Sequence, residues 1–161
     1  MYEIIQGDER MHYLKAGQYT YLAGGINALY HEAAVKMDIS DSVQNILYVI
    51  CEKGTSCLQS EISRLTGISR QTINSAIRKL EKEEIVYLAQ GKGRNTVVCL
   101  TEKGKNYAAE KIQPLFEIEN KIWKEWTEDE QQEYLRLTQK YRDGLKKYLA
   151  TMLQHGASKE Q

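Results

Sequence analysis

Gln71, Asn74, Ser75, Arg78 and Lys82 fall on one side of a helix when turned by about 100° per residue. These residue types suit duplex DNA: Asn and Gln pair with adenine edges, Arg pairs with guanine, and Ser or a helix N-terminus binds phosphate. The opposite side carries Ile73, Ala76, Ile77 and Leu80 at i, i+3, i+4 and i+7, the spacing of a core-facing stripe. Any solvated surface helix also has a polar outer face. Here, however, the one acid between 71 and 82 is Glu81, which points elsewhere, and Lys92 and Arg94 follow on a glycine-rich tip suited to a minor groove.

Other chemistry finds less support. His12, His31 and His155 have no metal-ligand spacing, and Cys51, Cys57 and Cys99 form no CxxC, so no catalytic residue, metal or cofactor is expected and the chain does not read as an enzyme. The thiols read as reduced. Cys51 and Cys99 fall on apolar faces and read as buried; Cys57, beside Ser56 at the mouth of a helix, is the candidate for oxidation. Gly91-Lys92-Gly93 is no phosphate loop, because no Gly-Lys-Ser or Gly-Lys-Thr follows a strand and opens a helix.

The elements that must position the polar face can be read from period and punctuation. Gln59 to Thr66 forms a short helix with Ile62 and Leu65 inward, stopped by Gly67, which tolerates the left-handed conformation. Ser69 then caps a second helix running to about Glu83. So tight a joint is a helix-turn-helix. Ile85 to Leu88 and Thr96 to Leu100, around the tip Gln90 to Asn95, read as a hairpin that makes the motif winged. Upstream, Leu22, Ile26, Leu29 and Ala33 mark a helix from about Arg10 to Met37, where Gly24 and Gly25 imply a bend or a close backbone approach. Ser40 caps a second helix with Val43, Ile46, Leu47, Ile50 and Cys51 on one face.

Downstream the chain is helical. Tyr107, Ala108, Ile112, Leu115, Ile118, Ile122 and Trp126 keep helical spacing, with a kink expected at Pro114. Thr127 and Glu130 match a capping box that restarts a last helix. On it Tyr134, Tyr141 and Tyr148 repeat at seven, as do Thr138, Leu145 and Met152, a stripe for packing on a helix of this chain or of a second copy. Residues 154–161 read as a frayed tail.

The chain of 161 residues has one domain's length, and its single Pro favours long helices. It has no secretion signal and no stretch near 18 apolar residues, so a cytoplasmic protein without membrane contact is expected. Its 22 Lys and Arg balance 22 Asp and Glu, which excludes a uniformly basic coat protein, an acidic tail and an electrostatic membrane binder. The balance is uneven along the chain. Residues 58–105 carry nine Lys and Arg against five Glu, net +4, while 1–57 sum to −3 and 106–161 to −1. One basic surface between acidic flanks fits phosphate binding at one place.

The order of these elements, the stretch LQSEISRLTGISRQTINSAIRKLEKEEIV (58–86), the wing with Arg94 and LTEKGK (100–105) resemble the MarR family of bacterial winged helix-turn-helix regulators over about residues 10–152. The resemblance implies a mainly α fold with a small β-wing. Its winged core (38–101) would be flanked by dimerisation helices (10–37 and 102–153) within one domain. It implies a homodimer on a pseudopalindromic operator, with recognition helices in the major groove and wings in the minor groove. Ser69, Arg70, Gln71, Thr72, Asn74, Ser75 and Arg78 match the recognition helix, and Arg94 the wing arginine; Lys82 and Lys92 complete the expected DNA contacts. Such a regulator, here expected to be a repressor, is controlled by a small ligand or by oxidation. Tyr19, Tyr30 and Tyr48, with Tyr13 and Tyr21 nearby, would then line a pocket for an aromatic effector or pack in the dimer core. A winged helix that binds protein rather than DNA is the alternative. Two departures are visible: Glu84 stands where the family often has Gly, and Lys92-Gly93 replace an Asp-Arg pair, so a looser wing is expected.

Overall fold

The computed structural model describes the backbone of residues 8–156 and the side chains of residues 15–152. His12, Tyr13 and His155 are among the side chains outside that range, and the end of the expected tail, 157–161, lies outside the described backbone. The chain is mainly α with a small antiparallel sheet. It divides into two compact units, residues up to Pro114 and residues from Leu115 onward.

The first unit opens with α1 (Asp8–Lys36), which runs through Gly24 and Gly25 without a break. Beyond the helix's own backbone, nothing lies within 4 Å of where a Cβ would stand on either glycine, so no close approach within the described chain occupies the space. Ser40 caps α2 (Asp41–Glu52) by accepting from Val43 N, and His31 Nδ1 meets Asp41 at 2.9 Å, tying α1 to the first turn of α2. The periodic stripe of α2 is the core: Ile46, Leu47 and Ile50 are fully buried.

A short strand follows, β1 (Ser56–Leu58), too brief to show alternation in the sequence. Next come α3 (Gln59–Thr66), ended by Gly67 at φ 69°, and α4 (Arg70–Lys82), capped by Ser69. Ile62 of α3 and Ile73, Ile77 and Leu80 of α4 close the core over α2, each such side chain contributing about 1.5–3 kcal/mol by burial. Leu65 departs from its expected inward position and is exposed, because on so short a helix only Ile62 reaches the core.

The C-terminus of α4 turns through Glu84, a non-glycine residue at φ 58°. Glu84 N donates to Glu81 O and Ile85 N to Leu80 O, the paired bonds of a left-handed helix stop. The wing then forms from β2 (Val86–Gln90) and β3 (Thr96–Leu100), paired from Val86↔Leu100 to Gln90↔Thr96. β1 adds to the other edge of β3, with Cys57 opposite Val98, giving the order β1-β3-β2. Thr101 caps α5 (Glu102–Lys111), and its hydroxyl also lies 2.6 Å from Glu84 O, fastening the base of the wing to the end of α4.

The interruption expected at Pro114 falls two residues earlier, at Ile112. Pro114 sits in the first turn of α6 (Gln113–Lys124), where a missing N–H has no helical partner to lose.

In the second unit, Thr127 and Glu130 make the expected capping box. Thr127 N donates to Glu130 Oε2 at 2.7 Å, and Glu130 N donates back to Thr127 Oγ1 at 3.3 Å. They open α7 (Glu128–Gly156), so the first residues of the expected tail, 154–156, are helical. Trp123, Trp126 and Tyr134 stack at the α6–α7 corner with ring centroids 5.1–6.0 Å apart, and Gln131 Nε2 donates to both tryptophan carbonyls.

Candidate nucleic-acid interface

α4 has two faces because its sequence alternates them. The apolar stripe is buried, and every residue expected to contact DNA, Ser69 to Lys82 and Lys92 and Arg94 on the wing, is exposed. Several of these have local work as well. Ser69 Oγ accepts from Thr72 N at 3.2 Å and lies 2.9 Å from Thr72 Oγ1, so both residues serve the cap. Ser75 Oγ donates to Gln71 O at 3.0 Å. Asn74 Oδ1 accepts from Gln59 Nε2, on the preceding helix.

The charges sort more sharply. Of the nine cations between 58 and 105, four are in ion pairs: Arg64 with Glu61, Lys79 with Glu83, Lys103 with Glu84, and Lys105 with Glu102. The other five, Arg70, Arg78, Lys82, Lys92 and Arg94, form no ion pair among the described residues. Those five are the ones the sequence nominates for DNA. Exposed pairs of this kind contribute little to stability; what matters is that the unpaired cations keep their full charge for an external anion.

A cleft of roughly 250 Å³ brings part of the set together. Arg70 and Asn74 of α4 line it with Arg94 and Asn95 of the wing and Gln59 and Ser63 of α3. Arg78, Lys82 and Lys92 lie outside it. Gln59 and Asn95 were not nominated by the sequence; their signal is the hairpin-and-helix juxtaposition, which no local pattern encodes.

Among the described residues the wing tip holds no ion pair and is tied by amides. Gln90 Nε2 donates to Gly93 O at 2.6 Å, Asn95 Nδ2 to Lys92 O at 3.0 Å, and Gly91 N to Asn95 O at 2.8 Å. Side-chain-to-backbone bonds at a turn hold the loop without charge.

The thiols depart from expectation, Cys57 most of all. Cys57 is the buried one, at 5% exposure, because β1 pairs it with Val98 inside the sheet; Cys51 and Cys99 are half-buried. Burial, followed by the neighbouring Glu61 carboxylate, pushes the Cys57 thiol up, away from the thiolate that oxidation needs. Tyr19 and Tyr30 stand exposed on α1 and Tyr48 is half-buried on α2. No helix among the described residues is long and apolar enough to cross a membrane.

Residues 37–94 match the family model described as MarR family. None of the curated proteins matches the chain by sequence. Among solved structures, the chain is similar to a MarR family regulator from Neisseria meningitidis, with TM-score 0.64 and 20% identity over 91% of this chain and 99% of that one. A MarR/EmrR family transcriptional regulator from Acinetobacter sp. ADP1 gives TM-score 0.66 and 20% identity over 85% and 98%. A Staphylococcus aureus MarR solved with salicylate and kanamycin gives 0.63 and 16% over 86% and 95%. Residues 37–94 thus match the MarR family model, and the chain is similar in fold to solved MarR family regulators.

Proposed function

We propose that this chain is a transcriptional regulator, a repressor that works as a homodimer on a pseudopalindromic duplex operator. The observation that carries the reading is the sorting of charge around α4 and the wing. Five exposed cations without ion-pair partners coincide with the residues whose types suit phosphate and base edges. Arg70 to Lys82 would lie in the major groove, and Lys92 and Arg94 would reach the minor groove or its flanking phosphates.

The dimer is supported by apolar surface left uncovered in the single chain. On α1, Leu22 is 70% and Leu29 65% exposed, and Tyr148 and Met152 of α7 are also exposed. Contiguous apolar helix faces of this kind fit burial against a second copy. Leu22→Glu with Leu29→Glu should give a monomer by sedimentation; a retained dimer would place the contact elsewhere. A small aromatic effector near Tyr19, Tyr30 and Tyr48 is the proposed control, supported by the salicylate-bound relative and by phenolic side chains suited to such a ligand.

The deciding experiment is selection of bound duplexes from a random pool by the purified protein, with a palindromic consensus expected. Arg78→Ala and Arg94→Ala should each weaken binding and, for a phosphate contact, lower the salt slope by about one. A protein-binding winged helix would instead give no consensus and little salt dependence.

A further inference from the structure

Arg70, the first residue of α4, and Arg94, on the wing tip, line the same cleft of roughly 250 Å³, and no acid lines it with them. Most neutral side chains around them are spent on neighbours. Ser63 Oγ donates to Ile68 O at 3.0 Å, Asn95 Nδ2 donates to Lys92 O at 3.0 Å, and the Gln59 and Asn74 amides bond each other. The two guanidinium groups, which only donate, have neither a hydrogen bond nor an ion pair among the described residues. Their backbones are held in place: Ser69 caps the turn that begins at Arg70, and the amides of Gln90 and Asn95 tie the loop that carries Arg94.

Two cations gathered at one acid-free cleft repel each other, and an anion between them relieves that cost. Each guanidinium also presents a planar fork that matches phosphate oxygens. Duplex geometry says which anion is at hand. Where α4 occupies the major groove and the wing the adjacent minor groove, the sugar–phosphate strand that separates the two grooves passes between them. The cleft lies between those same two elements.

We propose that Arg70 and Arg94 close on one phosphodiester of that strand. Such a two-arginine clamp fixes the register of helix and wing together on the duplex while reading no base. The inference rests on the DNA-reading function proposed above and narrows it. Arg70 and Arg94 share a single ligand, whereas Arg78, Lys82 and Lys92 lie outside the cleft and meet other groups of the duplex.

The test uses the full-length protein, its Arg70→Ala and Arg94→Ala variants and the double variant. Both side chains are exposed and unpaired, so their removal orphans no partner, and the far-ultraviolet circular dichroism should not change. A duplex selected from a random pool is made again with a neutral methylphosphonate at one phosphate at a time, and affinity is read by fluorescence anisotropy. One position in each half-site should cost the unsubstituted protein at least about tenfold. At that same position each single variant should lose clearly less, and the double variant no more than at neighbouring phosphates. Two positions, each muted by one variant only, would put the arginines on separate phosphates and overturn the clamp; so would a scan with no position muted by both. Thermal stabilisation by inorganic phosphate that needs both arginines, without such a position in the duplex, would make the cleft a small-anion site and overturn the clamp as well. All three results leave DNA reading intact, whereas a pool that yields no consensus with the unsubstituted protein overturns the DNA reading itself.

Discussion

Gly104→Ala offers a test in which two familiar rules predict opposite signs. Gly104 is buried in the first turn of α5, in an ordinary helical conformation. By helix propensity alone, alanine there should stabilise by up to about 1 kcal/mol. The packing forbids it. A Cβ on Gly104 would stand 2.9 Å from the carbonyl carbon of Ile85 and closer still to its oxygen. Carbon atoms pack best near 3.5–4.0 Å, so α5 or the start of the wing must move by roughly 1 Å. That same carbonyl accepts from Thr101 N at 3.1 Å, and Thr101 Oγ1 lies 2.6 Å from Glu84 O. Losing these two bonds costs about 1 kcal/mol each, and overpacking against backbone adds about 2 kcal/mol. Less the propensity gain of about 1 kcal/mol, the expected loss is about 3 kcal/mol. Urea unfolding followed by circular dichroism, at one protein concentration because a dimer's stability depends on it, measures the difference. Gly144→Ala on α7, where nothing beyond the helix's own backbone lies within 4 Å of the new methyl, is the matched control and should not destabilise. A Gly104→Ala protein as stable as the original would refute the steric argument.

Three further outcomes are expected. Glu84→Gly should stabilise by about 0.5–1 kcal/mol in the same urea assay, since the φ of 58° strains a side-chain-bearing residue and the Lys103 pair it loses is exposed; a loss of stability would contradict the strain. The hydrogen bonds from Thr127 hold the Glu130 carboxyl below its ordinary 4.5, so the box's contribution is complete above that pH and is lost as pH falls through the lower folded value. The protection factors of amides in the first turn of α7, each rate taken against its intrinsic value at that pH, should fall over that acid window in the unsubstituted protein, and Glu130→Ala should already show low protection at neutral pH; equal protection in both at neutral pH would exclude the box. Cys57 should be the slowest thiol to alkylate in the folded protein, and Cys57→Ser should leave any peroxide effect on DNA binding unchanged, whereas loss of that effect would restore Cys57 as its origin.

What the sequence made legible follows the physics of each signal. The two faces of α4 and the bounds of α3 were readable because contrast at helical spacing and a left-handed stop at Gly67 are local properties. Periodicity on α1 marks an apolar face without saying what covers it, and Leu22 and Leu29 are uncovered within one chain. Cys57 was misjudged because β1, three residues long, has no alternation to read, and its burial comes from a partner strand some forty residues on. The charge count located the basic block, yet only the folded chain separates the five unpaired cations from the four held by glutamates. The Gln59–Asn74 bond joins residues fifteen apart on different helices, beyond the reach of any local pattern.

Both tryptophans of the chain, Trp123 and Trp126, belong to the aromatic corner between α6 and α7, and the matched segment 37–94 has none. The protein therefore carries a natural optical label outside its proposed reading head. Indole emission is blind to events confined to α3, α4 and the wing, and it responds when the α6–α7 corner repacks. A spectral shift on adding operator or effector would then be a direct readout of a signal that has travelled into the C-terminal unit.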